Sequence, residues 1–394
     1  MAKHVAVVGG GAVGTTAAYD LAERGTDVTL FERGEIAAGS TGRAAGIVYD
    51  AFADSVDARV ADRAVERFRE FSGEGDFSFE VTPYVWLARE GDERRADAIR
   101  EQVPRMRSHG RDAALVDPEE LSAEWPALRT DDIAVAAVAR NAGRVRPETY
   151  PPLLAEKARQ AGARIETGVE VSLTADPPGV TTRSSKTAQG GGGSAEGDGE
   201  HRGFDAVLVA AGAQTKRILS EAGIPIALKP YRVQALTTAG GPSGRSNEDG
   251  PAVPMTYDAT GGFYLRPYGD GLLAGDGTEE VESDPDDWKR DGDDAFVSSM
   301  RDGLAHRVGV DADVTDAWAG LCTATPDRNP LLGELRDGIY VATGFQGHGF
   351  MRSSALGEVA AETILGEEGI PDYDPTRFTG DEEFDIVEGM TVSE

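Results

Sequence analysis

The stretch HVAVVGGGAVGTTAAYDLAERGTDVTLFERGE, residues 4–35, decides the fold of this chain. Its apolar run His4–Val8 predicts a buried strand, Ala12–Arg24 predicts a helix with one apolar face, and Val28–Phe31 predicts a second strand. A similar alternation returns at residues 153–212, with one helix followed by three apolar, strand-like runs. Alternating strands and helices indicate a parallel sheet that is assembled from separate stretches of the chain.

The turn between the first strand and the helix carries a dinucleotide-binding pattern. Gly9, Gly11 and Gly14 have the spacing GxGxxG, which allows a tight turn, a close approach to a pyrophosphate and close packing of helix on strand. The helix N-terminus then presents free N–H groups to phosphate. Glu32 ends the second strand, where a carboxylate accepts hydrogen bonds from ribose hydroxyls and repels the 2′-phosphate of NADP.

The composition excludes several classes of function. The 394 residues carry 39 Lys plus Arg against 69 Asp plus Glu, a formal net charge of -30 that opposes binding to nucleic acid and suits a salt-adapted, acidic surface. A single cysteine, Cys322, and five scattered histidines predict neither a disulfide nor a metal site. No signal peptide or membrane span is recognisable, so we expect a soluble, cytoplasmic protein.

The predicted fold class is α/β (α+β overall), with a Rossmann-like domain around a parallel sheet and a second, mostly antiparallel β-sheet domain. Strand-rich blocks interrupt the Rossmann-like pattern twice. A polar, glycine-rich segment is expected to be a disordered insertion, and the C-terminus an acidic tail. The expected boundaries are 1–78, 138–223 and 319–380 for the cofactor domain, 79–137 and 224–318 for the substrate domain, 183–203 for the insertion, and 381–394 for the tail.

Two further stretches favour FAD over NAD. AAGSTGRAAGIV, residues 37–48, follows the second strand where an NAD domain would continue with a helix and a strand. It offers hydroxyl and guanidinium groups to phosphate, and its small residues can lie against a ring system. Near the C-terminus, GFQGHGF, residues 344–350, precedes another helix whose N-terminus can face negative charge.

These motifs together resemble the FAD-dependent amine and amino-acid oxidoreductases, the family of D-amino-acid oxidase, glycine oxidase and sarcosine oxidase. GSTGR, GRVRPETY, VLVAAGA, WAGL, TPDRNPLLG and YVATGFQGHGF follow in that family's order. The sequence is most similar to the sarcosine oxidase and dimethylglycine dehydrogenase branch, over essentially the whole chain apart from the insertion and the tail. The resemblance implies FAD as the cofactor and oxidation of a CH–NH bond of an amino acid or N-methylated amino acid by hydride transfer. We expect the FAD to be bound non-covalently, because the chain has Gly320 where covalent sarcosine oxidases have the cysteine that tethers the flavin.

The resemblance also implies which residues hold the cofactor. They form the glycine turn, the end of the second strand, the segment after it, and the loop near the C-terminus. The implied residues are Gly9, Gly11, Ala12, Val13, Gly14, Glu32, Arg33, Ser40, Thr41, Arg43, Ala45, Gly46, Ile47, Val171, Gly212, Gly344, Gln346, Gly347, Gly349, Phe350 and Met351.

At three positions the chain differs from the sarcosine oxidases or glycine oxidase, so the roles of those residues cannot be carried over. Gly320 stands where covalent sarcosine oxidases tether the flavin through a cysteine, and Cys322 stands where glycine oxidase has a substrate-binding arginine. Met351 replaces the lysine that follows GHGF in the sarcosine oxidases. The sequence therefore predicts related chemistry with a different set of substrate contacts.

Four side chains are the expected substrate contacts. Arg266 suits a bidentate contact with a carboxylate, and Tyr264 lies on the same strand face by period-two alternation. Tyr49 follows the small-residue run, and His348 lies in the C-terminal glycine loop. A surface role for Arg266, a packing role for Tyr49 and a loop-supporting role for His348 are the competing interpretations.

Other functions remain open at this stage. The electron acceptor can be oxygen, or a quinone or partner subunit if the chain is a dehydrogenase. A flavin-holding assembly protein without turnover is a third hypothesis, because fold does not fix function. An NAD dehydrogenase is opposed by GSTGR and GFQGHGF.

The net charge predicts that salt stabilises the protein. Raising KCl from about 0.1 M to about 2 M shrinks the Debye length from ~10 Å to below ~3 Å and screens the mutual repulsion of the carboxylates. We expect the melting temperature to rise by several degrees in a thermal unfolding experiment. An equal rise in a neutral osmolyte at the same concentration, or none in KCl, would contradict this explanation.

Overall fold

The computed structural model describes residues 2–184, 199–242, 253–311 and 313–387. Within them the chain forms twenty strands and eight α-helices, joined by short loops and 3-10 turns. The strands are β1 His4–Val8, β2 Asp27–Glu32, β3 Ile47–Tyr49, β4 Glu80–Val81, β5 Tyr84–Arg89, β6 Ala113–Val116, β7 Ile133–Ala139, β8 Ala142–Arg144, β9 Arg164–Thr167, β10 Val169–Ala175, β11 Pro178–Ser184, β12 Glu200–Gly203, β13 Ala206–Val209, β14 Lys229–Ala239, β15 Met255–Asp258, β16 Phe263–Tyr268, β17 Gly271–Gly275, β18 Asp313–Ala324, β19 Leu331–Arg336 and β20 Ile339–Thr343. The helices are α1 Ala12–Glu23, α2 Ser55–Glu70, α3 Glu93–Ser108, α4 Pro118–Glu124, α5 Tyr150–Gln160, α6 Thr215–Glu221, α7 Asp294–Val308 and α8 Gly349–Leu365.

The first sheet is the Rossmann-like sheet predicted from the glycine turn. Its strand order is β19-β20-β13-β1-β2-β9, parallel except for the hairpin of β19 and β20. On one face, β1 and β2 pack against α1 through apolar side chains such as Val5, Leu21 and Leu30. On the other face, Val8 and Val207 pack against the antiparallel sheet β10-β11-β12 and α6. The sheet is therefore covered on both faces, as a parallel sheet requires.

The second large sheet has the order β18-β14-β17-β16-β15-β5-β7-β6, and all its pairs are antiparallel except β15 with β5. One face, with Leu236, Leu265 and Ala274, packs against α7. The other face, with Tyr264 and Leu273, joins the core that contains α1 and α8. This sheet therefore lies against the first lobe, as the predicted two-part architecture requires.

The structure differs from the sequence expectations at several boundaries. Strands β7 and β18 run across the expected divisions at 137/138 and 318/319. The strand Val169–Ala175 pairs in the small antiparallel sheet rather than in the parallel one. The ends of the expected insertion 183–203 belong to β11 and β12, and residues 185–198 lie outside the described residues.

The expected acidic tail, 381–394, is anchored over its described part. Ile386 is buried in one apolar cluster with Tyr231 on β14 and Ala324 on β18. Lys229 Nζ donates to the Phe384 carbonyl oxygen at 2.6 Å. Residues 388–394 lie outside the described part of the chain.

A buried ion network holds the second sheet to its helices. Arg307 and Asp258 are both fully buried, and Arg307 Nη2 lies 2.8 Å from Asp258 Oδ2. Arg89 Nη2 reaches the same oxygen at 2.7 Å, and Arg307 Nη1 reaches Asp132 Oδ1 at 2.9 Å. Buried charges of this kind are tolerated only when each is paired.

Replacing Asp258 with Ala should destabilise the protein strongly, because Arg307 would stay buried without its closest carboxylate. Breaking one half of a buried pair costs about 3–5 kcal/mol. Chemical denaturation measures the change, with exposed Asp270→Ala as the matched control. A loss below about 1 kcal/mol would contradict the structural role of the network.

Candidate active site

A large cavity lies between the two lobes and has a volume of about 490 Å³. That volume is within the usual range for small-molecule and cofactor sites. The parallel sheet contributes the glycine turn and the end of β2, and the antiparallel sheet contributes β14, β16 and β18. A ligand that fills this cavity therefore contacts both lobes.

The glycine turn comes so close to its neighbours that side chains cannot fit. A Cβ on Gly9, where φ is +115°, would lie 2.4 Å from the Ala210 carbonyl oxygen. A Cβ on Gly14 would lie 2.0 Å from the Gly9 carbonyl oxygen. These contacts set the start of α1 directly beside the cavity, where Ala12 N–H donates to Thr41 Oγ1 at 3.1 Å.

Glu32 is fixed by the backbone on both sides. Its Oε2 accepts a hydrogen bond from Gly10 N–H at 2.7 Å, and its Oε1 accepts one from Gly34 N–H at 2.7 Å. Glu32 also lines the cavity. Each carboxylate oxygen keeps a second lone pair, so the side chain is oriented to accept hydrogen bonds from ribose hydroxyls.

The segment after β2 runs along β18. Ser40 Oγ donates to the Leu321 carbonyl oxygen at 2.5 Å, and Trp318 Nε1 donates to the Arg43 carbonyl oxygen at 3.1 Å. Arg43 Nη1 donates to the carbonyl oxygens of Ala38 and Gly39. Burial, together with the nearby charge of Arg290, lowers the pKa of Arg43. Four arginines, Arg33, Arg43, Arg217 and Arg290, line the cavity, and their positive charge favours binding of an anion there.

A row of residues crosses four strands of the antiparallel sheet and forms the opposite wall. Trp318 is the register partner of Ala235, Ala235 of Gly275, and Gly275 of Tyr264. Trp318, Ala235 and Tyr264 all line the cavity. A Cβ on Gly275 would lie 2.3 Å from Tyr264 Oη, so the glycine leaves room for the phenol ring.

The connection from β17 to α7, residues 276–293, forms part of the cavity wall. Buried Arg232 on β14 holds it, through Nε to the Lys289 carbonyl oxygen at 2.8 Å and Nη1 to Asp293 Oδ2 at 2.7 Å. At its far side, Asp286 Oδ2 accepts from Arg217 Nη1 at 2.7 Å and so reaches the first lobe. We call residues 276–293 the roof loop.

Most residues implied by the family resemblance line this cavity, together with Tyr264. Those on its wall are Gly9, Gly11, Ala12, Val13, Glu32, Arg33, Ser40, Thr41, Arg43, Ala45, Val171, Gly212, Gly347, Gly349 and Phe350. The others lie behind the wall. They are Gly14, Gly46, Ile47, Gly344, Gln346 and Met351, with the expected substrate contacts Tyr49, Arg266 and His348.

Arg266 is the expected residue whose placement differs most. It shares the sheet face of Tyr264, as the alternation predicts, but its guanidinium donates to the carbonyl oxygens of Ala45 and Pro267. Only 3% of it is exposed, and burial lowers its pKa to about 10. Arg266 lies two residues after Tyr264 on β16, at a point where the segment around Ala45 covers the sheet. Its guanidinium therefore connects the two lobes instead of facing the cavity.

Tyr49 and His348 are also packed behind the wall. The Tyr49 ring stacks on Tyr84 at 4.7 Å between centroids. The His348 ring packs edge-on against Phe52 at 5.4 Å. Burial lowers the pKa of His348 to about 3, with a smaller contribution from the positive charge of Arg352. The imidazole of His348 is therefore neutral at physiological pH. The contacts of Tyr49 agree with the packing role, and those of His348 with the loop-supporting role, that the sequence left open.

The residues that sequence reasoning missed lie mainly on the roof loop. Asp276, Trp288 and Arg290 line the cavity, and so does Gln234 on β14. The loop has no glycine signature or apolar period that would mark it, and its acidic composition is typical of the whole surface. Asp276 directly after the run GLLAG is the one signal that could have been used.

A model of the DAO family of FAD-dependent oxidoreductases matches residues 4–363. The chain belongs to this family. It is 26% identical to glycine oxidase of Geobacillus kaustophilus, over 95% of this chain and 96% of that one. It is 26% identical to mitochondrial dimethylglycine dehydrogenase of Homo sapiens over 94% of this chain, but it spans only 44% of the length of that enzyme.

Among solved structures, L-proline dehydrogenase from P. horikoshii superimposes with a TM-score of 0.82 and 28% identity, over 96% of this chain and 98% of that one. The family membership confirms FAD as the cofactor of this flavoprotein. Among the described residues, no helix is both long and apolar enough to cross a membrane. No cluster of potential metal ligands occurs within them either.

The cavity fits FAD on observations of the chain itself. The glycine turn leaves a cradle that a Cβ would fill, Glu32 is oriented for a ribose, and Arg43 brings positive charge beside the helix N-terminus. Gly320, which lines the cavity, has no side chain to tether a flavin. Non-covalent binding stays a prediction.

Replacing Gly9 with Ala should weaken FAD binding by at least about tenfold, because the new Cβ would meet the Ala210 carbonyl oxygen and the residue would be strained at φ +115°. The ratio of flavin to protein after gel filtration measures the loss. Gly203→Ala is the matched control, since a Cβ there meets nothing within 4 Å. Equal flavin content in both variants would contradict the role of the turn.

Proposed function

We propose that the protein oxidises the CH–NH bond of an amino acid or N-methylated amino acid, giving an imine that water hydrolyses. The observation that supports this most is the shared cavity, in which the FAD cradle of one lobe faces polar and aromatic side chains of the other. The relatives point to the same class of substrate, because they include enzymes named for glycine, dimethylglycine and proline.

Bound FAD would supply the hydride acceptor. The residues of the chain orient the substrate and keep water out. Trp318, Ala235 and Tyr264 provide an apolar wall. In this proposal Arg43 contacts the cofactor and not the substrate.

Arg290 is the proposed contact for the substrate carboxylate. Its side chain lines the cavity and is exposed, so it stands at the opening. It stacks on Trp288 at 5.0 Å from the ring centroid, and among the described residues it forms no ion pair. Ala319 N–H donates to its carbonyl oxygen at 2.7 Å, which fixes the backbone beside β18. A planar guanidinium suits bidentate contact with a carboxylate.

The proposed reaction is tested by the visible spectrum of the purified holoenzyme under anaerobic conditions. Sarcosine, dimethylglycine, proline, and D- and L-amino acids are added singly, with acetate as the control that has a carboxylate and no amine. We expect one amine class to bleach the flavin band and acetate to leave it unchanged. A flavin that none of these amines bleaches would contradict the proposal and favour a flavin-holding assembly protein.

Electrons from the reduced cofactor pass in this proposal to oxygen, or to a quinone or partner subunit if the protein is a dehydrogenase. Peroxide formed per substrate consumed, compared with reduction of an artificial dye, separates the two. We also propose that the protein acts in the cytoplasm at high salt, which its net charge of -30 supports.

Replacing Arg290 with Gln should raise KM for the amino acid that bleaches the flavin by about tenfold, because one charge-assisted contact is lost. Arg290→Lys should recover part of the loss. Arg107→Gln, on the exposed face of α3, is the matched control. An unchanged KM in Arg290→Gln would remove Arg290 from the substrate site.

A further inference from the structure

Asp276 occupies an unusual place in the cavity. It follows the last residue of β17, and its N–H donates to the Gln234 carbonyl oxygen at 3.2 Å. Its side chain lines the cavity, and its Oδ1 accepts a hydrogen bond from Thr278 Oγ1 at 3.2 Å. Among the described residues it forms no ion pair, although four arginines line the same cavity.

The backbone holds Asp276 in a strained conformation. Its φ is +129°, in the region that favours glycine. Strained residues of this kind persist where the surrounding structure determines them, and they cluster at functional sites. Gly275, the residue before Asp276, is held in place because it pairs with both Ala235 and Tyr264 in the sheet. The residue held in this conformation lines the cavity in which the substrate would bind.

The surroundings of Asp276 make both protonation states accessible near neutral pH. Burial raises its pKa to about 7, against the smaller, lowering effect of the Thr278 hydroxyl. The other ionisable or charged groups that line the cavity are Glu32, Arg33, Arg43, Glu170, Arg217, Tyr231, Tyr264, Arg290 and Cys322. Of the two further carboxylates, Glu32 accepts hydrogen bonds from backbone N–H groups, and Glu170 Oε1 lies 3.4 Å from Arg217 Nη2.

We propose that the Asp276 carboxylate contacts the amino group of the substrate and takes up the proton that its ammonium form must lose before oxidation. This inference rests on the proposed amino-acid oxidation. In the step, an N–H bond breaks, an O–H bond forms on Asp276, and the electron pair stays on nitrogen. No oxidant is consumed. The substrate class is thereby narrowed to molecules that carry both a carboxylate, for Arg290, and a basic nitrogen.

The geometry supports this division of roles. Asp276 and Arg290 belong to the two ends of the roof loop, which Arg232 holds to β14 by its contacts with Lys289 and Asp293. A zwitterion bound under this loop meets a negative and a positive group at separate points. Such paired contacts fix the orientation of the substrate's α-carbon.

Two non-reacting probes test the inference without turnover. Glycine betaine has a carboxylate and a permanent cation but no N–H proton, so it cannot form an imine; acetate has the carboxylate alone. Binding of each to the oxidised holoenzyme is followed by perturbation of the flavin spectrum at about pH 5.5 and about pH 8.5, on either side of the Asp276 pKa. We expect betaine to bind about tenfold more tightly at the higher pH, because ionised Asp276 attracts the cation.

Asp276→Asn is the variant that decides the outcome, because Asn keeps the size of the side chain and tolerates a positive φ. It should bind betaine with the same affinity at both pH values. Exposed Asp270→Asn, in the turn before β17, is the matched control and should behave as the unaltered protein. The unaltered protein should bind acetate less tightly at the higher pH.

The inference is overturned if betaine binds the unaltered protein equally at both pH values or does not bind, or if Asp276→Asn keeps the pH dependence. The first two outcomes decide the matter even if Asp276→Asn fails to fold. Failure of the proposed function is a separate result, since it appears as a flavin that no amino acid bleaches while the betaine measurement is unaffected.

Discussion

A methyl group would not fit between Gly9 and the carbonyl oxygen of Ala210, and the rest of the site depends on this close approach. An added Cβ would lie 2.4 Å from that oxygen. The contact lets β1, β13 and the start of α1 converge, so the helix N-terminus opens into the cavity. The same turn places Gly10 N–H on Glu32, which orients the carboxylate at the end of β2. The first lobe is therefore built around backbone contacts that only glycine permits.

The second lobe is positioned by contacts between the segment after β2 and the antiparallel sheet. Ser40 bonds to the backbone of β18, Trp318 bonds to the carbonyl oxygen of Arg43, and Arg266 bonds to that of Ala45. The acceptor in all three hydrogen bonds is a backbone carbonyl oxygen. The bonds therefore align the backbone of the segment after β2 with the antiparallel sheet. The substrate wall thus has a fixed position relative to the FAD cradle. Catalysis by orientation requires this kind of rigidity.

The sequence predicted the first lobe well because its information is local. The glycine spacing and the strands on either side of it lie within residues 4–35, and the helix Ala12–Glu23 ends one residue from the expected bound. The substrate wall depends on register across strands that are far apart in sequence, such as Ala235 with Trp318. Period-two alternation put Arg266 on the correct face, but it could not show that the segment at Ala45 covers that position. The roof loop has no periodic pattern, so nothing in the sequence marked Arg290, and only the position directly after GLLAG could have marked Asp276.

One cavity binds FAD on the glycine turn and, in the proposed function, the substrate under the roof loop. A crystal structure of the protein with FAD and glycine betaine tests it most directly. We predict the pyrophosphate at the N-terminus of α1, the betaine carboxylate within hydrogen-bond distance of Arg290, and the cationic nitrogen of betaine beside Asp276. A flavin bound elsewhere, or a betaine carboxylate on a different cation with Asp276 facing only protein, would contradict it.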